Sequence, residues 1–199
     1  VYHIDICDGH FAKTFLLYPQ FVAYLREITN SRLDVHLYCT NPSYYIDELV
    51  DCGADTIIIH YECNEAVDTV VQKIMDKKVG VGLGFLPSTE IPDSIAQFVP
   101  SLRMVVANTV GPAYAGQPFD SRGLRNMKKV KEILTVAGSS AELAADGGIN
   151  EARLTALFSA GANHLVLGTS SIIKAHTNIP LEMHHFRQIA ELYYTSNQG

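Results

Sequence analysis

Gly53-Ala54-Asp55-Thr56-Ile57-Ile58-Ile59-His60 and, much later in the chain, Gly161-Ala162-Asn163-His164-Leu165-Val166-Leu167-Gly168 share one pattern. In each, a glycine fit to end a helix leads through a short turn into an unbroken apolar run, the mark of a strand buried on both faces. Similar runs recur at Val1 to Ile6, Leu33 to Leu37, Val79 to Leu83, Arg103 to Ala107 and Ala141 to Ala145, giving seven in all. Between them lie amphipathic stretches of helical length: Pro19 to Thr29, Pro42 to Cys52, Glu65 to Lys77, Ile91 to Val99, Arg122 to Ala137 and Glu151 to Ala160. Asn41 before Pro42 predicts an N-cap with proline in the first turn, and Gly53 and Gly161 predict C-terminal caps. Strand–helix alternation of this kind predicts a parallel sheet.

Two architectures satisfy that pattern, an open doubly wound sheet and a closed (β/α)8 barrel. Polar residues decide between them. Asp5, His36, His60, Asn108, Asp146 and Gly168 all stand at carboxyl ends of predicted strands spread along the chain, and only a barrel makes all of those ends neighbours. The expected fold is therefore an α/β (β/α)8 barrel, one domain over residues 1–199. Seven strands are one short of eight, and the reading expects an initial strand–helix unit of roughly 25 to 35 residues to be missing from the sequence, because an open parallel edge invites aggregation.

Composition narrows the function classes. With 199 residues, 47% of them hydrophobic, the chain can bury a substantial core. A net charge of -6 with scattered lysines and arginines offers no basic stripe for nucleic acid, and Lys128-Lys129-Val130-Lys131 reads as a solvated helix face. No apolar stretch approaches the roughly 18 residues of a membrane span, so the expected setting is cytoplasmic. Cys7, Cys39, Cys52 and Cys63 form no C-x-x-C pair and read as reduced thiols, Cys7 as part of a packed wall.

The chemistry is carried by strand alternation. Residues two apart on a strand share a face, so His3 points with Asp5, and Asp34 with His36. Two carboxylates and two imidazoles gathered at strand ends can hold one divalent metal and move protons. Later, Asp146-Gly147-Gly148-Ile149-Asn150 and Gly168-Thr169-Ser170-Ser171 follow consecutive strands. Glycine lets backbone N–H groups approach an anion, and a phosphate site beyond the last two strands is a common barrel arrangement. The loop from Gly111 to Phe119 is placed to fold over the same region. No G-x-G-x-x-G follows the first strand, so a dinucleotide is not indicated.

Taken together, His3-Ile4-Asp5-Ile6-Cys7-Asp8-Gly9-His10-Phe11, Asp34-Val35-His36-Leu37, Asn41-Pro42, His60-Tyr61-Glu62, Gly116-Gln117-Pro118-Phe119, Asp146-Gly147-Gly148 and Gly168-Thr169-Ser170 resemble the ribulose-phosphate 3-epimerase family, which includes allulose-6-phosphate 3-epimerase. The resemblance runs in order from residue 1 to about residue 173. It implies a metal-dependent isomerase that inverts C3 of a ketose phosphate, ribulose 5-phosphate with xylulose 5-phosphate or a hexulose 6-phosphate, through an enediolate. It further implies one divalent ion on His3, Asp5, His36 and Asp146, zinc foremost among zinc, iron, manganese and cobalt. Asp5 and Asp146 would be the acid and base, and Gly116, Gly147, Gly148, Gly168 and Thr169 would surround the phosphate. A small-molecule sugar phosphate and assembly into a homo-oligomer are the partners it implies, with no nucleic acid and no membrane. His10, Asp34, His60 and Glu62 read as capping, supporting or structural groups.

The chain departs from the family at Cys7, Tyr38 and Asn108, where methionines are usual, and in Ala12-Lys13-Thr14 and Pro112-Ala113-Tyr114-Ala115. A more polar pocket is expected. Two other readings differ in what they require of the residues. A sibling decarboxylase would carry Asp-x-Lys-x-x-Asp, but Cys7 stands where the lysine would be. A catalytically silent barrel, binding sugar phosphate or metal as sensor or subunit, is permitted by the lost methionines, but retention of both Asp5 and Asp146 argues against it.

Overall fold

The computed structural model describes residues 1–112 and 116–196. In chain order the regular elements are β1 (Tyr2–Asp8), β2 (Phe15–Leu16), α1 (Pro19–Ile28), β3 (Leu33–Tyr38), α2 (Ser43–Asp51), β4 (Thr56–His60), α3 (Val67–Asp76), β5 (Gly80–Phe85), β6 (Leu102–Asn108), α4 (Arg122–Val136), β7 (Glu142–Asp146), α5 (Leu154–Ser159), β8 (His164–Val166) and α6 (Ile179–Ser196). In the spatial order β2-β1-β3-β4-β5-β6-β7-β8 all neighbours are parallel except the β1–β2 pair. From β3 to β8 each strand lies beside the next, as successive βα units produce, while the short β2 folds back on the outer edge of β1. The result is the curled sheet of a (β/α)8 barrel, with β2 and β8 as its edge strands among the described residues.

Alternation divides the core into two. Side chains pointing outward, among them Val35, Leu37, Ile57, Ile59, Leu83, Val105 and Leu143, pack with the helices in one large buried cluster. Each such side chain taken fully out of water contributes roughly 1.5–3 kcal/mol. Pointing inward, Ile58, Met104, Val106 and Ala144 form a small separate cluster. The inward face of β5 is all glycine because its neighbours already fill the space. A Cβ on Gly82 would lie 2.5 Å from Cγ1 of Ile58, and one on Gly84 would lie 2.9 Å from Nε2 of His36.

Punctuation held at the C-termini. At Gly53 (φ +90°) the glycine N–H bonds the Val50 carbonyl and the Ala54 N–H bonds that of Leu49, a Schellman turn; Gly161 (φ +103°) repeats it with Phe158 and Leu157. Gly53→Ala is expected to lose about 1–2 kcal/mol, since the left-handed backbone penalises a Cβ and that atom would sit 2.9 Å from Cγ of Arg26. Urea unfolding measures it, and a loss of only a few tenths would contradict the assignment.

Several boundaries differ from expectation. Asn41 makes no side-chain cap for α2; instead the Glu65 carboxylate accepts from the Ser43 N–H at 2.8 Å and from its hydroxyl. The stretch Ile91 to Val99 forms two 3-10 turns, Asp93–Gln97 and Val99–Ser101. Pro92 and Pro100 bracket it, and a proline supplies no N–H to extend an α-helix. Residues 151–153 form another 3-10 turn, ahead of α5. Helix α6 was not anticipated. Asn178, which accepts from the Leu181 N–H, and Pro180 mark its start, and Met183, Phe186, Ile189, Ala190 and Tyr193 give it a periodic apolar face against the core. No helix among the described residues is long and apolar enough to cross a membrane.

Candidate active site

The carboxyl ends of β1 and β3 begin the site. Their register places His3 beside Asp34, Asp5 beside His36 and Cys7 beside Tyr38, all six pointing into the barrel. From the far side of the sheet, β6 and β7 bring Asn108 beside Asp146. The curl carries Asp146 back to β3, so that His3, Asp5, His36 and Asp146 offer ligand atoms that all lie within 4.8 Å of one another.

These atoms form a compact set of nitrogen and oxygen donors. His3 Nε2 is 3.2 Å from His36 Nδ1 and 3.4 Å from Asp5 Oδ1. His36 Nδ1 is 3.7 Å from Asp5 Oδ1 and 3.6 Å from Asp146 Oδ2. Ligands about 2.0–2.2 Å from a tetrahedral ion lie about 3.3–3.6 Å apart, so the donor set fits a divalent ion of that kind. Asp5 Oδ1 is moreover a buried oxygen with no hydrogen-bond partner.

Electrostatics suits that fit at His36. Burial, with the neighbouring imidazoles of His60 and His3, pushes His36 down to about 4, leaving the neutral ring that can ligate. Burial works against a charge on His3 as well, but the carboxylates of Asp5, Asp146 and Asp34 outweigh it and raise its pKa. Burial would raise Asp146, yet hydrogen bonding and charge from His36, His3 and Tyr38 hold it below the usual carboxylate range.

Two of the three departures from the family surround Asp146. The Tyr38 hydroxyl donates to Asp146 Oδ2 at 3.0 Å, and the Asn108 amide donates to the same oxygen at 3.2 Å and to the Tyr38 oxygen at 2.6 Å. Burial and the nearby carboxylates push the Tyr38 phenol well up, so it remains a donor. Cys7, the third, packs with Ala12 and Tyr38 as part of the cleft wall.

The cleft above these groups has about 250 Å³ of free volume and is lined by Asp5, Cys7, Tyr38 and Asp146 together with Gly116, Gly147, Gly148, Gly168 and Thr169. Every residue singled out in the sequence for metal, proton transfer or phosphate thus borders one space or stands at its floor. Residues 113–115 of the loop expected to fold over it lie outside the described residues. Gly147 has φ +101° and a Cβ there would meet Val110 at 2.2 Å, so its identity is structural. Gly168 is different. Its φ is not left-handed and a Cβ would meet nothing within 4 Å, so neither conformation nor packing calls for glycine there.

The supporting groups are less as expected. His10 is an exposed loop residue bonded to Asp8, whose carboxylate pins the loop by accepting N–H bonds from His10, Phe11 and Thr40 at 2.7–2.8 Å. Asp34 engages Arg32, not an imidazole, through contacts of 2.9 and 3.1 Å. Arg32 and Glu142 were missed by the sequence reading: the guanidinium spans the barrel floor to both Glu142 oxygens at 2.7 Å. Their place in phase with His36 and Asp146, at i−4, was the available signal.

Comparison with known proteins agrees with this geometry. The sequence model of the Ribulose-phosphate 3 epimerase family matches residues 1–173. The ribulose-phosphate 3-epimerase of Bacillus subtilis is 33% identical over 169 residues, covering 84% of this chain and 77% of that protein. That of Chlamydia trachomatis is 31% identical over 179 residues, 89% of this chain and 76% of the relative. Among solved structures, KGPDC from Streptococcus mutans superposes with a TM-score of 0.66 at 12% identity over 96% of this chain and 86% of that one. Phosphoribosyl anthranilate isomerase from Thermococcus kodakaraensis gives 0.63 at 11%, over 99% and 89%. At those identities the structural likeness speaks for the barrel fold alone. The matched motifs, the register that brings His3, Asp5, His36 and Asp146 together, and the barrel beneath them agree: the chain belongs to the ribulose-phosphate 3-epimerase family.

Proposed function

We propose that this protein inverts C3 of a ketose phosphate, ribulose 5-phosphate or a hexulose 6-phosphate, with Asp5 and Asp146 exchanging the proton on opposite faces of that carbon. His3, Asp5, His36 and Asp146 would hold one divalent ion, zinc foremost. The observation that carries the reading is the pairing of two carboxylates from distant strands around two imidazoles, at separations of 3.2–3.7 Å along the edges His3–His36, His3–Asp5, His36–Asp5 and His36–Asp146.

Inverting a carbon beside a carbonyl needs a base on one face and an acid on the other. One aspartate, ionised, takes the C3 proton and leaves an enediolate; the other, protonated, returns a proton to the opposite face. The proton has then moved from one carboxyl to the other, and exchange with water resets the pair. A bound divalent ion would supply Lewis-acid stabilisation of the charge on the enediolate oxygens. Tyr38 and Asn108 hold the Asp146 carboxylate at Oδ2, which fixes its direction. Support for the phosphate end comes from Gly168, where open space at the cleft wall leaves room for a ligand oxygen against the backbone.

In deuterated water, the C3 proton of ribulose 5-phosphate or of a hexulose 6-phosphate is expected to exchange when the metal-replete protein is added. A chelator should stop the exchange and added zinc or cobalt restore it, both read by proton NMR. Metal-replete protein that exchanges neither sugar would sink the proposal in favour of the silent barrel. What favours catalysis over that alternative is that both carboxylates line the cleft.

A further inference from the structure

We propose that His60 and Glu62 are positioning residues that dictate which ring nitrogen of His36 carries its proton, keeping Nδ1 bare toward the donor cluster. The inference rests on the metal reading of that cluster.

Donors and acceptors form a chain outward from His36. Its Nδ1 faces His3, Asp5 and Asp146, while its Nε2 lies 3.0 Å from Nε2 of His60. The two rings lie within 9° of parallel with centroids 4.9 Å apart. Between two neutral imidazoles one nitrogen must donate and the other accept, and the distance leaves open which. The second contact of His60 removes the ambiguity: its Nδ1 is 2.9 Å from Glu62 Oε2. A carboxylate only accepts, so with one proton on each ring Nδ1 of His60 carries the hydrogen, its Nε2 is bare, and Nε2 of His36 must be the donor. Nδ1 of His36 is then left with its lone pair toward the cluster.

Glu62 is itself fixed. Burial alone would raise its pKa, but hydrogen bonds from His60, Thr89 and Leu86 keep it below the ordinary range, hence an acceptor at both oxygens. Its Oε1 takes the Leu86 N–H at 2.8 Å and the Thr89 hydroxyl. That loop is clamped in turn by buried Asn126 of α4, which donates to the Leu86 and Thr89 carbonyls at 3.2 and 2.9 Å. His36 and His60 are both wholly buried, so water is not available to substitute for a missing partner.

The test is Glu62→Gln, which keeps size but supplies one acceptor and one donor. The Leu86 N–H can only donate, so it claims the new carbonyl oxygen and turns the amide N–H₂ toward Nδ1 of His60. Both tautomers then reverse, and the proton of His36 moves to Nδ1. Long-range ¹⁵N spectra of the metal-free protein are expected to show His36 protonated at Nε2 in the parent and at Nδ1 in the variant. Cobalt affinity, measured by competition with a chelator, is expected to fall roughly 10–100-fold. Unchanged tautomers, or a cobalt affinity within about threefold of the parent, would overturn the proposal. If the variant does not fold, the parent spectrum decides alone, since His36 protonated at Nδ1 there is equally fatal. Should the parent bind no cobalt while showing the stated tautomer, the relay stands and it is the metal reading that falls.

Discussion

Asp146→Asn is expected to lower C3 proton exchange by about 10²–10⁴-fold, the range that a positioned acid or base supplies, and to weaken metal binding at the same time. Asparagine retains an oxygen that can accept from the Tyr38 hydroxyl and Asn108 amide now bonded to Oδ2, so the fold should survive and the loss should be chemical. It cannot take up or return a proton at C3, and its neutral amide is a poorer ligand than a carboxylate. The same NMR exchange assay measures the rate, with thermal unfolding as the control for structure. A rate within about threefold of the parent in a folded variant would remove Asp146 from the proton pathway. Asp5 lines the same cleft, and no bond from Tyr38 or Asn108 reaches it, so the two carboxylates stand in different hydrogen-bonding environments.

The largest stability effect is expected at the other end of the barrel. Arg32→Met should destabilise the protein by about 3–5 kcal/mol, the range found when one partner of a buried pair is removed. Arg32 grips Glu142 with two bonds of 2.7 Å and Asp34 with bonds of 2.9 and 3.1 Å. Asp34 is fully buried and its second oxygen has no partner, so without the guanidinium an uncompensated carboxylate would remain in the interior. Urea unfolding at neutral pH measures the difference; less than 1 kcal/mol would show that the pair is dispensable.

The same ion pair has a pH signature. Arg32, with smaller contributions from His164, holds the Glu142 carboxyl down at about 2, against 4.5 for the free group. A depressed folded-state pKa gives stability that is present above the unfolded value and lost as pH falls through the folded one. The parent should therefore lose this contribution between about pH 4.5 and pH 2, and the gap between parent and Arg32→Met should narrow over that window. A gap constant down to pH 2 would place the stabilisation elsewhere.

Placement of the two groups follows barrel logic. Arg32, Asp34 and Glu142 stand at the amino ends of β3 and β7, whereas His36 and Asp146 stand toward the carboxyl ends of the same strands. One end is thereby closed by an ion pair and the other left to chemistry, as in barrels generally.

How much of this could be read beforehand depends on the distance over which each feature is decided. Strand alternation is a local property with a period of two residues, so His3 with Asp5 and Asp34 with His36 were legible as same-face pairs. Helix ends at Gly53 and Gly161 were legible because a left-handed cap depends on a few consecutive residues. Ile91 to Val99 has helical apolar spacing, yet it folds as two 3-10 turns, each with a proline at its start, and apolar spacing does not separate short 3-10 turns from an α-helix.

Residue order alone carried the alternating βα units, the inward-facing His and Asp side chains and the family to which they belong. Tyr38 meeting Asp146 across 108 residues, Arg32 meeting Glu142 across 110, and His60 standing between Glu62 and His36 are products of the folded sheet. The reason is physical. Residue pattern sets which face a side chain takes, but hydrogen-bond partners are chosen within a few tenths of an ångström. That precision is fixed only once sheet curl and strand register have closed the distances.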